Sequence, residues 1–311
     1  MSDNLPIEVR PEDSDLESGS EPRIPRYSRD VNPTNLVLSS NDLKEFCELM
    51  IEFNEGAKKL EFDRIDKTQF ASEQEAWDRI CDLLPIEYNY FAANGDSVTG
   101  IGLPDVDGRA FPEELTSFFV SNSAYARRAV NESPLNQVEA FIAFDKPPLK
   151  LDLLTLPSNP TENRSVININ GTDEAWVIAT TEKINEFFRT RAVTRPVIHG
   201  SGSYDSFTFL AFLPVLLWVY FHFGSLLVDG WLEKQSIFLN VIIAIYALLV
   251  SLIAGRFVFQ YIRWLFPPME YYKKSRTGAF IHRSIASVVL GGAFLSAFYD
   301  IGKYVLGAIF K

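Results

Sequence analysis

The chain has 311 residues, with 40 Asp and Glu against 29 Lys and Arg, a formal net charge of −11 and 47% hydrophobic residues. That length holds one or two domains. A chain this acidic, with no basic cluster interleaved with aromatics, repels phosphate and is not expected to bind nucleic acid. Its two cysteines, Cys47 and Cys81, stand in no CxxC or zinc-like spacing and are expected as buried, reduced thiols.

The averages pool unlike segments. Residues 1–35 carry 8 acids and 4 bases, residues 36–206 carry 28 and 16, and residues 207–311 carry 4 and 9. An acidic, polar portion therefore precedes a basic, apolar one. Residues 1–35 are rich in Pro and Ser and too poor in apolar side chains to offset the entropy of ordering, which predicts a disordered tail. They also lack the basic start and apolar core of a cleavable signal peptide.

Folded structure is expected from Leu36. LVLSS reads as a strand and feeds a helix in which Leu43, Phe46, Leu49, Met50 and Phe53 recur at helical spacing. Ser40 or Asn41 would cap that helix and Gly56 would stop it. KLEFDRID, residues 59–66, alternates apolar and polar residues like a half-buried strand. A second amphipathic helix runs from Ser72 to Leu84 with Trp77, Ile80, Cys81 and Leu84 inward, and Pro85 ends it. A hairpin follows with Asn94-Gly95 at its turn. ELTSFFVS and QVEAFIAFD read as two more strands, VININ as a last one, and SAYARRAV is left open. Thr172 to Arg191 is a helix with acids at its start and arginines at its end. Together these predict an α+β domain over residues 36–191, an antiparallel sheet with about three helices, and then a linker over 192–206.

Residues 207–311 form the expected membrane region. From Phe207 to Val228, and again from Ser236 to Gly255, no side chain is charged. Each run is long enough, at 1.5 Å per helical residue, to cross a hydrocarbon core of roughly 30 Å. Spans are expected over about 207–228 and 236–258. A third, over 284–306, is interrupted at Asp300 and either spans or lies at the surface. Arg189, Arg191 and Arg195 precede the first run, and Arg256, Arg263, Lys273, Lys274, Arg276 and Arg283 follow the second, while the turn between holds one Lys. That asymmetry places the soluble domain in the cytosol. Arg256, Arg263 and Trp264, with Lys273, Lys274 and Arg276, are expected at the membrane interface, where basic side chains snorkel and Trp suits headgroup depth. Gly292, Ser296 and Asp300 recur every fourth residue, so with Lys303 one turn on they predict a packing face or, alternatively, a pore lining.

Catalytic constellations are not found. The three histidines, His199, His222 and His282, fall in the linker or membrane portion, so the soluble domain holds none for general-base work. DVDGR, from Asp105, lacks the spacing of a calcium loop and reads as a turn. Neither catalytic, cofactor nor metal residues are assigned. The function that follows is a multi-pass membrane protein whose cytosolic binding or sensing domain is coupled to a small transmembrane bundle. The alternative is an oligomeric pore or membrane-perturbing effector gated by that domain. The expected partners are the lipid bilayer, a second copy of the chain, and a protein or small molecule that the sequence does not identify.

Overall fold

The computed structural model describes residues 25–108, 111–149, 158–193, 196–228, 236–272 and 277–309. The chain divides into two units. The first takes residues 1–145, 163–193 and 269–274; the second takes 146–162, 194–268 and 275–311.

The first unit is an α+β fold on a six-stranded antiparallel sheet. Its strands are β1 (Tyr27–Val31), β3 (Glu87–Ala92), β4 (Ser97–Ile101), β5 (Leu115–Ser121), β6 (Gln137–Ala143) and β7 (Val166–Gly171), in the order β1-β7-β6-β5-β3-β4. Register sets Tyr90 beside Phe118 and Phe118 beside Ile142, and Val120 beside Ala140 and Ala140 beside Ile167. This side of the pleat is the buried one. Each fully buried Ile or Phe there contributes roughly 1.5–3 kcal/mol from area removed from water. Helices α1 (Ser40–Arg64) and α4 (Glu174–Arg189) pack on the sheet. They send Phe46, Met50, Val177, Ile184 and Phe188 into the core. Helix α2 (Glu73–Leu83) packs on α1 and on the short α3 (Ala124–Val130), which is the form SAYARRAV takes.

Five expectations are corrected. The strand predicted over residues 59–66 is the last part of α1, which runs 25 residues straight through Gly56. Gly56 serves close approach rather than termination: a Cβ there would lie 2.8 Å from Nε1 of Trp176 on α4. The cap of α1 is Ser39, whose hydroxyl accepts from the Asp42 amide while Asp42 accepts from the Ser39 amide. That reciprocal pair satisfies two of the donors a helix start leaves unpaired. Helix α4, expected from Thr172, starts at Glu174 with Asp173 as its cap. Finally, ordered structure begins before Leu36, because β1 lies within the expected tail; residues 1–24 of that tail lie outside the described residues.

A buried polar network closes one end of this unit. Asn122 spans from the Asn54 side chain to the Asn136 carbonyl and accepts from the Val138 amide. Glu61 accepts from both the amide and the side chain of Asn136. Pairing of this kind offsets the cost of burying polar groups, and it fixes α1 against the β5–β6 end of the sheet.

The second unit is helical. After α5 (Pro196–His199), α6 (Ser203–Phe207) runs through a π-helical turn, Thr208–Phe212, into α7 (Leu213–Val228). The π turn sits just ahead of Pro214, which cannot donate the next hydrogen bond of a regular helix. Helix α8 (Ile237–Leu265) meets that turn closely: a Cβ on Gly255 would stand 2.8 Å from the Phe212 ring. Helix α9 (Thr277–Ile309) packs mainly on α7. Three helices, over Ser203–Tyr220, Ile237–Leu265 and Ile281–Asp300, are long and apolar enough to cross a membrane. The turn expected between the first two lies, over residues 229–235, outside the described residues.

Candidate functional site

The segment after α8 was expected to continue as a basic interfacial stretch. Its first residues instead form β8 (Met269–Tyr272), a strand of the first unit. Pro267 and Pro268 stop α8 and bias the backbone to extended geometry, so a strand can begin at once. β8 pairs in parallel with β2 (Leu36–Ser39), in the register Leu36 with Met269 through Ser39 with Tyr272. The opposite edge of β2 is engaged too. Leu36 forms an antiparallel bridge with Ala192, and the Val193 amide donates to the Asn35 carbonyl at 2.8 Å. Leu36, 1% exposed, therefore stands between the end of the segment that leaves this unit at Val193 and the residue, Met269, at which the chain next returns.

Side chains hold both flanks of this joint. Met269 and Tyr271 are buried in the core; Tyr271 lies 5.6 Å from Phe144 and 6.3 Å from Phe111 between ring centroids, and its hydroxyl donates to the Pro112 carbonyl at 3.2 Å. Burial, with Tyr90 adding to it, pushes the Tyr271 phenol well above its ordinary ionisation range. On the exit side Arg191 donates to Asp42 at 2.6 Å, pairs with Glu45, and stacks 3.7 Å from the centre of the Phe187 ring. Burial alone would raise the Asp42 carboxyl. Hydrogen bonds from the Ser39 hydroxyl and amide and from Arg191 outweigh it and hold the group below its ordinary value. The cap of α1, the exit of α4 and β2 thus share one carboxylate.

In the second unit the residues expected at the membrane interface do not act as one set. Arg263 is buried, and its guanidinium donates from Nε to the Ile198 carbonyl at 3.0 Å and from Nη1 to the Asn159 carbonyl at 3.1 Å. It also lies 4.6 Å from the Phe259 ring centre. Trp264 is half-buried, with the Lys146 ammonium 4.8 Å from its ring and Tyr261 stacked on it at 5.9 Å. Arg256 is half-buried on α8. Lys273, Lys274 and Arg276 lie outside the described residues. Sequence reading missed the cap on α8. The Phe266 carbonyl faces His199 Nε2 at 2.6 Å, so that nitrogen carries the proton, and His199 Nδ1 meets the Thr161 hydroxyl at 2.9 Å. Arg283 donates to the Leu265 carbonyl at 3.0 Å. Two prolines follow, so the last carbonyls of α8 depend on side chains for partners.

The face drawn through Gly292, Ser296, Asp300 and Lys303 is divided. Asp300 accepts from the Trp218 indole on α7 at 2.7 Å, and Ala297 is fully buried. Gly292, Ser296 and Lys303 are exposed, and no atom stands within 4 Å of where a Gly292 Cβ would be. The inward face of α9 is therefore centred on Ala297, one position round from the predicted one.

Cys47 is buried in the core of the first unit, and burial, with Glu48 adding to it, pushes its thiol up to about 12. A thiol held in that form is a packing group rather than a nucleophile. Among the described residues no group of three or more His, Cys, Asp and Glu side chains could hold a metal ion. No protein-family model, curated protein or solved structure matches the chain.

Proposed function

We propose that this chain is a membrane-anchored binding or sensing protein whose α+β unit is cytosolic and is coupled to its apolar helices through β2. The observation that carries the reading is the double pairing of Leu36 with Ala192 and Met269. A unit that was only tethered would need one flexible linker. Here both chain crossings nearest the first two apolar helices are hydrogen-bonded to the same four-residue strand, which leads directly into α1. A ligand that shifted α1 or α4 would bias this ladder, and a ladder has discrete registers rather than a continuum. The excess of bases before the first apolar helix and after the second supports the cytosolic orientation.

The pore alternative draws less support. Its best residue, Asp300, has a partner in its own chain in Trp218, which suits a polar contact between packed helices.

The test is amide hydrogen exchange on the full chain in detergent or nanodiscs, comparing wild type with Leu36→Gly. Coupling predicts faster exchange in both Ala192–Val193 and Met269–Tyr272, with most of the six-stranded sheet still protected. Unchanged exchange at either crossing would contradict it.

A further inference from the structure

The six-stranded sheet ends at β1 on one side and at β4 on the other. The two edges differ in kind. β1, YSRDV, carries Arg29 and Asp30 and stands between Pro25 and Pro33, and charges and prolines are what keep an edge from pairing further. β4, SVTGI, has neither a charge nor a proline, and its Ser97, Val98, Thr99 and Ile101 are all exposed.

The backbone bonds say which groups this edge offers. In an antiparallel pair, every second residue pair exchanges hydrogen bonds. The Ala92 amide donates to the Asp96 carbonyl at 2.8 Å and the Gly102 amide to the Ile86 carbonyl at 2.8 Å, and both pairs continue the β3–β4 register. The pairs Tyr90–Val98 and Tyr88–Gly100 are therefore the bonded ones, and the N–H and C=O groups of Ser97, Thr99 and Ile101 point away from β3. These donors and acceptors alternate at a strand's spacing, the template on which strand addition works.

The side chains beside the edge say what would add. Phe91, Val98, Ile101 and Leu103 are exposed apolar groups gathered around β4. The charges nearby are of one sign: residues 88–108 hold Asp96, Asp105 and Asp107, all exposed, and no Lys or Arg. Asp96 precedes β4 and the other two follow it, so both ends of the edge are acidic. A second copy paired antiparallel would set Asp96 of one chain toward Asp105 of the other, whereas a basic segment would be attracted to both ends.

We infer that β4 is the docking edge for an extended segment of another protein, apolar at alternate positions and basic at its ends, which adds to the sheet as a further strand. The inference names a partner for the binding unit proposed above and rests on that reading, but not on the coupling through β2.

The full chain in phosphatidylcholine nanodiscs is titrated with three labelled peptides: KVTVTVK, EVTVTVE, and KVPPTVK, whose adjacent prolines remove a donor from each edge of the peptide. Binding is read by fluorescence anisotropy, and residue-resolved amide exchange is followed with KVTVTVK. That peptide is expected to bind at least tenfold tighter than either control, slowing exchange at Ser97, Thr99 and Ile101 with little change at Val98 and Gly100. Thr99→Pro removes an outward donor and no bond to β3, so the unit should fold and the affinity should drop at least tenfold. The proline peptide carries the comparison on wild type if that variant does not fold. No binding of KVTVTVK overturns the proposal. So does equal binding of KVPPTVK, or an affinity unchanged by Thr99→Pro, since either would show attraction to an acidic chain rather than strand pairing. Equal binding of EVTVTVE overturns the basic partner. A chain that binds no peptide and forms a dimer lost in Thr99→Pro gives the edge to a second copy and overturns the proposal as well. Exchange at Ala192–Val193 and Met269–Tyr272 decides the coupling separately from all of these outcomes.

Discussion

Tyr271 shows how much a single side chain can carry in this protein. Its ring is 3% exposed among Phe111, Phe144 and Tyr90, and its hydroxyl bonds the Pro112 carbonyl. Tyr271→Phe removes one hydrogen bond and leaves a buried acceptor, so it should cost about 1–2 kcal/mol. Tyr271→Ala adds a cavity and should cost about 3–5 kcal/mol. Urea or thermal melts of the full chain check both, and equal effects would mean that the ring is not packed as described. Asp42 makes a prediction of another kind. Its folded ionisation lies below its ordinary value of 3.8, so the unfolded chain holds the proton more tightly than the folded one. Stability from this group is then fully present above pH 3.8 and is lost as the pH falls through its lower, folded value. Asp42→Asn should destabilise the chain at pH 6, and the gap to wild type should narrow as the pH is lowered below 3.8. A gap that widens on acidification would contradict the assignment.

Elements show which signals were legible in sequence. The apolar runs of α7 and α8, the spacing of α2 and the Asn94-Gly95 hairpin were readable because each signal is local: length, period or turn chemistry. Gly95 takes the left-handed backbone, φ 91°, that the hairpin turn asks of it. β8 was not legible. Four residues, MEYY, are too few for a period, and the strand exists only because β2, over 200 positions earlier, offers an edge. Arg263 was read as an interfacial charge because sequence shows its neighbours along α8 but not the carbonyls of Ile198 and Asn159. Gly56 was read as a stop because its indole neighbour, Trp176, is 120 residues away. Gly56→Ala tests that correction. Alanine gains about 1 kcal/mol of helix propensity, but its Cβ would stand 2.8 Å from the indole nitrogen, so Trp176 must move. A net loss of stability is expected, with altered tryptophan fluorescence; a stabilised chain with unchanged fluorescence would restore the original reading. Gly255→Leu makes the matching prediction in the second unit, where the added side chain has no room beside the Phe212 ring. Weakened association of α8 with the helix that carries the π turn should follow, read by crosslinking between the two.

At the scale of the molecule, the chain crosses between its two units five times. After an earlier excursion over residues 146–162, it leaves the α+β unit at Val193, supplies two of the apolar helices, re-enters at Met269 for one strand, and leaves again for α9. A single strand, β2, meets the exit at Val193 and the re-entry at Met269. This arrangement makes β8 part of the α+β unit's stability, and a strand edge that is filled by a later segment can open before the rest unfolds. The direct measurement is residue-resolved amide hydrogen exchange of the full chain in nanodiscs, read at Met269–Tyr272. The account predicts protection comparable to that of Leu36–Ser39, with both segments opening together as urea is raised. Exchange at Met269–Tyr272 as fast as in an unstructured peptide, while Leu36–Ser39 stays protected, would contradict it.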